Sequence, residues 1–317
     1  MIYLILFILF TGTLLIYFSI ADRFNIIDKP NERSSHAAIT IRGGGVVFII
    51  AALTVWVLDP NFWLVVTGLL IIGGVSFADD IWTLPNRIRI VFHITAVTLM
   101  FLYLQVFASL PVYLISALYI LVIGIINAYN FMDGINGITG LYSLVILAGL
   151  QYVNLRQVAF TAENLIWIPM LATGAFLVFN FRKKAVCFAG DVGSVTISFW
   201  IVTLLLQLIF ATGNWLYILF LAVYGVDAVL TIIHRLILRQ NIFKAHRLHF
   251  YQLLANECKV PHLVVSVLYA ILQLLIICVI VGAYQADSSL LIAVCLLMPL
   301  AMIYIILKPR MMRAQIR

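Results

Sequence analysis

Residues 113–140 read YLISALYILVIGIINAYNFMDGINGITG, an apolar run that ends in three asparagines, one aspartate and three glycines. Asn127, Asn130, Asp133 and Asn136 recur every third residue at the mouth of what reads as a membrane span. Asparagine and glycine are poor helix formers. Helix propensity therefore gives no reason to collect them there, whereas a binding or catalytic site does.

The rest of the chain sets the class. Of its 317 residues 65% are hydrophobic and 10% charged, and the mean hydropathy is +1.15; a soluble domain carries about 25% charged residues. The apolar residues recur in blocks near 1–20, 44–58, 62–78, 90–108, 112–129, 138–154, 165–180, 193–211, 214–234, 263–283 and 288–307. Hydrocarbon about 30 Å thick takes roughly 20 helical residues to cross. The blocks thus predict an all-α polytopic integral membrane protein with about 11 transmembrane helices. The first block has no basic leader and no small-residue cleavage site, so it reads as a helix rather than a removed signal peptide. Loops are short and no internal repeat is evident, so 1–317 reads as a single transmembrane domain.

With the N-terminus outside, every Lys and Arg except Arg156 falls on the inner side. The positive-inside rule then predicts a periplasmic N-terminus and a cytoplasmic C-terminus. The net charge of +7 reflects orientation and anionic lipid contact rather than nucleic-acid binding. Cys187 and Cys258 would face the reducing cytoplasm, while Cys278 and Cys295 lie within helices. No disulfide is expected, and the spacing suits no cysteine metal site.

Under this topology the polar segments share one face. They are DKPNERSSHAAITIRGGG (28–45), FADD (77–80), NAYNFMDGING (127–137), FNFRKKAVCFAGDVGS (179–194) and HRLILRQNIFKAHRLHFYQ (234–252). Asp79, Asp80, Asp133 and Asp191 bring carboxylates to helix ends, where charge is costly unless neutralised. Hard oxygen ligands of this kind suit Mg²⁺ or Mn²⁺ rather than zinc. Phosphate-type binders surround them: Arg33, His36, Arg42, Arg182, Lys183, Lys184, His246, Arg247 and His249. The glycines of RGGG, Gly43 and Gly44 among them, and of GDVGS let backbone N–H groups approach an anion, the latter at a helix N-terminus. Carboxylates with a metal amid basic groups describe phosphoryl transfer. A site at the membrane edge implies one soluble and one lipid-borne substrate.

Each piece alone has a plain structural reading. The paired aspartates could be a solvated interfacial cap, RKK a topology anchor, GDVGS an N-cap and turn, and HRLHFYQ an interfacial amphipathic segment. Asp227 lies inside the ninth block, where an ionisable residue is functional by default.

As a set, these motifs resemble those of the polyprenyl-phosphate N-acetylhexosamine-1-phosphate transferases (glycosyltransferase family 4). They run in the family's order from Asp28 to Gln252. The resemblance implies transfer of a sugar 1-phosphate from a UDP-sugar to undecaprenyl phosphate with release of UMP. It also implies a Mg²⁺ requirement, with Mn²⁺ as a substitute, and a cytoplasmic-face site in the bacterial inner membrane; a homo-oligomer is compatible with it. It assigns Asp191 as principal metal ligand, with Asp79 and Asp80 beside it flanking the lipid phosphate. Phe188 would stack on uracil, Asn130 and Asp133 would line the nucleotide site with Asn127 and Asn136 alongside, and His246 and His249 would contact the pyrophosphate. Asp227 with Arg235 matches the family's ninth-helix pattern.

Two departures narrow the reading. The family's histidine tract has Leu248 at its centre here, a form that resembles the subgroup starting lipopolysaccharide O-antigen chains with N-acetylfucosamine, N-acetylquinovosamine or a related sugar. The peptidoglycan enzyme's NLTDGLDG becomes NFMDGING, with Asn136 in place of an aspartate, and its adjacent histidines are absent. O-antigen initiation is therefore preferred over the peptidoglycan role.

Chemistry refines the roles. A phosphate monoester is about 90% dianionic at pH 7, so a general base gains little and direct attack of the lipid phosphate is favoured over a covalent aspartyl intermediate. The rival classes are a transporter or flippase, which would place polar groups at the midplane and on both faces, and a scaffold subunit with no metal site.

Overall fold

The computed structural model describes residues 1–28, 39–241, 246–283 and 289–314. Arg33 and His36 lie outside the described residues. Each apolar block holds a helix: α1 (Ile2–Arg23), α2 (Val46–Leu58), α3 (Trp63–Trp82), α4 (Asn86–Tyr103), α5 (Val112–Met132), α6 (Ile138–Arg156), α7 (Asn164–Asn180), α8 (Gly190–Thr212), α9 (Ala222–Ile237), α10 (His262–Gly282) and α11 (Ser289–Ala314). Among the described residues 8 helical stretches are long and apolar enough to cross a membrane. The helices α2 and α7 are apolar but shorter, and α4 is diluted by Arg87, Arg89, His93, Thr95 and Thr98. Large apolar side chains such as Val112, Ile120 and Leu290 are exposed along the helices, as a lipid-facing surface requires.

The helix α8 is the hub. Its side chains are buried on every face from Val192 to Leu206, the pattern of a helix hydrophobic all round. It packs on α3, α5, α6 and α2. Every residue that α8 carries at its first turn is therefore fixed relative to four neighbours.

The ninth apolar block is broken. Trp215–Leu221 is a 3₁₀ helix that gives way to α9. Within an apolar bundle the freed backbone groups must find partners. Gln273 of α10 supplies them: its Nε2 donates to the Leu219 carbonyl at 2.9 Å and its Oε1 accepts from the Val223 N–H at 3.1 Å.

At the polar end, two short strands, β1 (Ile27–Asp28) and β2 (Thr40–Ile41), pair antiparallel. β2 then runs beside Cys187, with the Phe188 N–H donating to the Ile41 carbonyl at 2.8 Å. The next residues are held even closer. The N–H groups of Gly44 and Gly45 donate to the carbonyls of Phe188 and Ala189 at 2.8 and 2.9 Å. A Cβ on Gly193 would meet the Gly45 Cα at 3.0 Å, and one on Gly45 would overlap Gly193. The RGGG and GDVGS segments thus interlock because neither carries a side chain at the crossing.

Gly45→Ala should overpack this crossing and lower the unfolding midpoint in detergent by the equivalent of about 1–3 kcal/mol. Gly124→Ala on α5, whose added Cβ meets nothing within 4 Å, should not. Equal midpoints for the two variants would contradict the interlock.

Candidate active site

The site is built on the first turn of α8. Asp80, at the end of α3, accepts from the Asp191 N–H at 2.9 Å and the Val192 N–H at 3.0 Å. These are donors that the start of a helix leaves without intrahelical partners. The same carboxylate pairs with Arg42 Nε at 2.7 Å and has no exposed side-chain surface. The anion at this helix N-terminus is therefore a side chain of the chain itself. Likewise the Gly44 and Gly45 N–H groups are spent on Phe188 and Ala189, so the close approach these glycines permit is of backbone to backbone. Gly43, at φ +81, turns the chain toward Tyr17, whose hydroxyl donates to the Arg42 carbonyl at 2.7 Å.

Asp191 and Asp79 are held more loosely. Asp191 pairs with Arg42 Nη2 and with Arg89 Nη2, both at 3.5 Å. Asp79 pairs with Arg89 Nη1 at 3.0 Å and accepts from the Leu84 N–H at 2.5 Å. Asp79 and Asp191 thus share the Arg89 guanidinium, one on each terminal nitrogen. Acids gathered around one cation are placed to take a second. Asp191 retains 19% of its side-chain surface and Asp79 8%, so both can offer lone pairs that Asp80 cannot. No group of three His, Cys, Asp or Glu side chains converges as a ready metal cage among the described residues. The donor set fits a hard cation held by one or two carboxylates together with substrate phosphates and water.

The asparagine-rich motif divides by role. Asn130 donates to Ser194 Oγ at 2.9 Å and ties α5 to α8. Asn127 turns back to its own helix, donating to the Ile123 carbonyl at 2.8 Å. Asn136 is buried, donating to the Arg182 and Lys183 carbonyls at 2.8 and 3.3 Å. Beside it the Gly137 N–H donates to Asn180 Oδ1 at 2.7 Å. Asn136 therefore clamps the segment leading to Phe188. Asp133 keeps one side open to solvent, yet burial, with Asp191 and Asp80 adding, pushes its carboxyl up to about 7; water on the open side limits that push. Phe188 is half-buried beside the carboxylates' segment. Burial opposes the charge of Arg42, but Asp80 and Asp191 outweigh it and raise its pKa.

The histidine tract forms a second wall. Asp227 of α9 accepts from the Phe250 and Tyr251 N–H groups at 2.8 and 3.3 Å and from the Tyr269 hydroxyl at 2.8 Å. His249 Nδ1 lies 3.4 Å from the same carboxylate. The Tyr251 hydroxyl donates to the Phe131 carbonyl at 2.9 Å, which joins this wall to the asparagine motif. The His246 ring sits 4.9 Å from that of His249. Burial first, with the neighbouring His249 ring and the charges of Arg235 and Lys308 adding, holds His246 down to about 3, so it is neutral at pH 7. Arg247 is half-buried between them in sequence.

Arg89 was not among the site residues expected from sequence. Its two-residue spacing from Arg87 reads as a topology signal, and only the α3–α4 turn aims it at Asp79 and Asp191. Arg182 is exposed, its Nε donating to the Val178 carbonyl at 2.7 Å, and Lys183 and Lys184 are exposed as well.

Residues 62–209 match the family described as glycosyl transferase family 4. The chain is similar to the undecaprenyl-phosphate alpha-N-acetylglucosaminyl 1-phosphate transferase of Thermotoga maritima, 26% identical over 75% of each chain. It is 25% identical to the probable undecaprenyl-phosphate N-acetylglucosaminyl 1-phosphate transferase of Bacillus subtilis, over 73% of this chain and 70% of that one. The phospho-N-acetylmuramoyl-pentapeptide-transferase of Thermotoga neapolitana is 26% identical over 68% of this chain and 76% of its own.

Asp133 gives the site a pH signature. Its folded pKa lies above the unfolded carboxylate value, so its contribution to stability is present at acid pH and is lost as pH rises toward about 7. The unfolding midpoint of Asp133→Asn relative to the parent should therefore climb between about pH 4 and 8. A difference that stays flat across that window would contradict the assignment.

Proposed function

We propose that this chain, which belongs to the polyprenyl-phosphate N-acetylhexosamine-1-phosphate transferase family, moves an N-acetylhexosamine 1-phosphate from a UDP-sugar to undecaprenyl phosphate. The products are the undecaprenyl-pyrophosphate sugar and UMP. The observation that carries the reading is that one guanidinium, Arg89, pairs with both Asp79 and Asp191 while Arg42 pairs with Asp191 from the other side. Acids and phosphate-binding cations at one helix start are what phosphoryl transfer needs and what a scaffold does not.

In this reading Asp191, with Asp79, would hold Mg²⁺ or Mn²⁺, and Asp80 stands behind them as the group that fixes α8. When bound, the cation neutralises charge on the nucleotide pyrophosphate. Arg42 and Arg89, paired with Asp191 only at 3.5 Å, turn to the substrate phosphates. Phe188 stacks on the uracil, with Asn130 and Asp133 alongside. His246, Arg247 and His249 bind phosphate oxygens.

The lipid phosphate is already dianionic at pH 7. One of its oxygens attacks the sugar-bearing phosphorus, the bond from that phosphorus to the bridging oxygen breaks, and UMP departs with the electron pair. No proton has to be removed from the nucleophile. Leu248 in the histidine tract favours O-antigen or a related envelope glycan as the product. The enzyme would work in the bacterial cytoplasmic membrane with its N-terminus periplasmic and its site on the cytoplasmic side. Asp227, the ionisable residue inside the ninth block, is occupied in holding the histidine tract.

Purified protein should release UMP from one or more UDP-N-acetylhexosamines only when undecaprenyl phosphate and Mg²⁺ are both present. Release that ignores the lipid, or no release from any UDP-sugar, would contradict the reading. Phe188→Ala should raise the KM for UDP-sugar roughly 5- to 150-fold, the value of about 1–3 kcal/mol of base stacking, with a smaller effect on kcat. An unchanged KM would put the uracil elsewhere.

A further inference from the structure

The last helix reaches the site near its end, through Tyr304 and Lys308. Only 6% of the apolar window of α11 is buried, yet Lys308 near its end is 2% exposed. A buried ammonium needs a counter-charge. Among the described residues no carboxylate lies in ion-pair contact with it; it donates instead to two hydroxyls, Thr231 Oγ1 at 3.2 Å and the Tyr304 oxygen.

Asp227 has the opposite problem. It is 3% exposed, and its donors are two backbone N–H groups, the Tyr269 and Thr231 hydroxyls and His249 Nδ1. Thr231 links the two. Its oxygen accepts from Lys308 and shares a 2.6 Å hydrogen bond with the Tyr304 hydroxyl, and its own proton has Asp227 Oδ1 at 3.3 Å and the Leu248 carbonyl at 3.5 Å as acceptors. Lys308, Asp227 and the backbone of the histidine tract therefore meet at this one hydroxyl.

We infer that Lys308, which lies outside every motif in the sequence, is the counter-charge of Asp227 and, through it, the positioning residue for His249. The carboxylate lies 3.4 Å from His249 Nδ1, where accepting a hydrogen bond from the Nδ1–H tautomer fixes the ring and leaves Nε2 as the free nitrogen. His249 Nε2 is buried without a hydrogen-bond partner among the described residues, as a group kept for a ligand would be. Losing Lys308 removes the counter-charge from Asp227 and frees the ring to shift, although among the described residues no hydrogen bond joins Lys308 to His249.

The test is a pair of cycles on the full chain in detergent. Lys308→Met and Asp227→Asn should each lower the unfolding midpoint, and the double variant should lose less than the sum, because no charge is then left unpaired. Additive losses would overturn the pairing. Should Lys308→Met alone give no folded protein, recovery in the double variant is the same supporting result and failure to recover the same overturning one.

The second cycle rests on the transferase reading. Lys308→Met should lower kcat/KM for UMP release about tenfold in the parent and much less in a His249→Gln background. An equal loss in both backgrounds would make Lys308 structural and overturn its positioning role. The stability cycle needs no turnover, so an inactive parent would count against the transferase reading alone.

Discussion

The structure depends on a carboxylate used as a helix cap. Asp80 closes the first turn of α8 through the Asp191 and Val192 N–H groups while pairing with Arg42. One buried group thereby fixes three separate segments: the end of α3, the start of α8 and the strand that leads into Gly43–Gly45. Removing one partner of a buried, hydrogen-bonded charge typically costs about 3–5 kcal/mol; Arg42 keeps 35% of its side-chain surface, so water would soften that loss here. The cap is also electrostatically apt, since a negative charge is favoured at a helix N-terminus.

The same device recurs on the other side of the site. Asp227 accepts from the first N–H groups of the short helical turn Phe250–Gln252 and so holds His249. In both places a fully buried aspartate is the holder, and the group it positions, Asp191 or His249, is the one with unspent bonding capacity. This division explains how a chain with 12 acidic residues can put several of them at helix ends without leaving charge buried and bare. It also separates residues that look equivalent in sequence: adjacent Asp79 and Asp80 point to different tasks because successive side chains on a helix face different neighbours.

Much of the architecture was legible because it rests on local signals. Apolar blocks of roughly span length become helices, and block boundaries fall near the observed helix ends, as at 138–154 against Ile138–Arg156. The fourth block was placed late, since α4 begins at Asn86, within the arginine-bearing segment. The motifs were legible as a cluster, but not their division of labour. Asn136 and Gly44 look like ligand contacts in sequence, yet their partners are the Arg182 and Phe188 carbonyls, tens to more than a hundred residues away. Arg89 and Lys308 read only as topology signals in the sequence; each acquires its place in the site from the turn or helix packing that aims it. Gln273 is similar, an ordinary polar residue in an apolar helix until the break at Leu219–Val223 shows what it repairs.

The central claim is that Asp80 holds the site together and Asp191 does its work. The most direct measurement is Mn²⁺ titration by electron paramagnetic resonance on folded Asp80→Asn and Asp191→Asn proteins, read beside their unfolding midpoints. The account predicts that Asp191→Asn loses the bound-Mn²⁺ signal while keeping the parent's midpoint, and that Asp80→Asn drops the midpoint. A lost Mn²⁺ signal at an unchanged midpoint for Asp80→Asn, with Asp191→Asn still binding, would exchange the two roles and contradict the account.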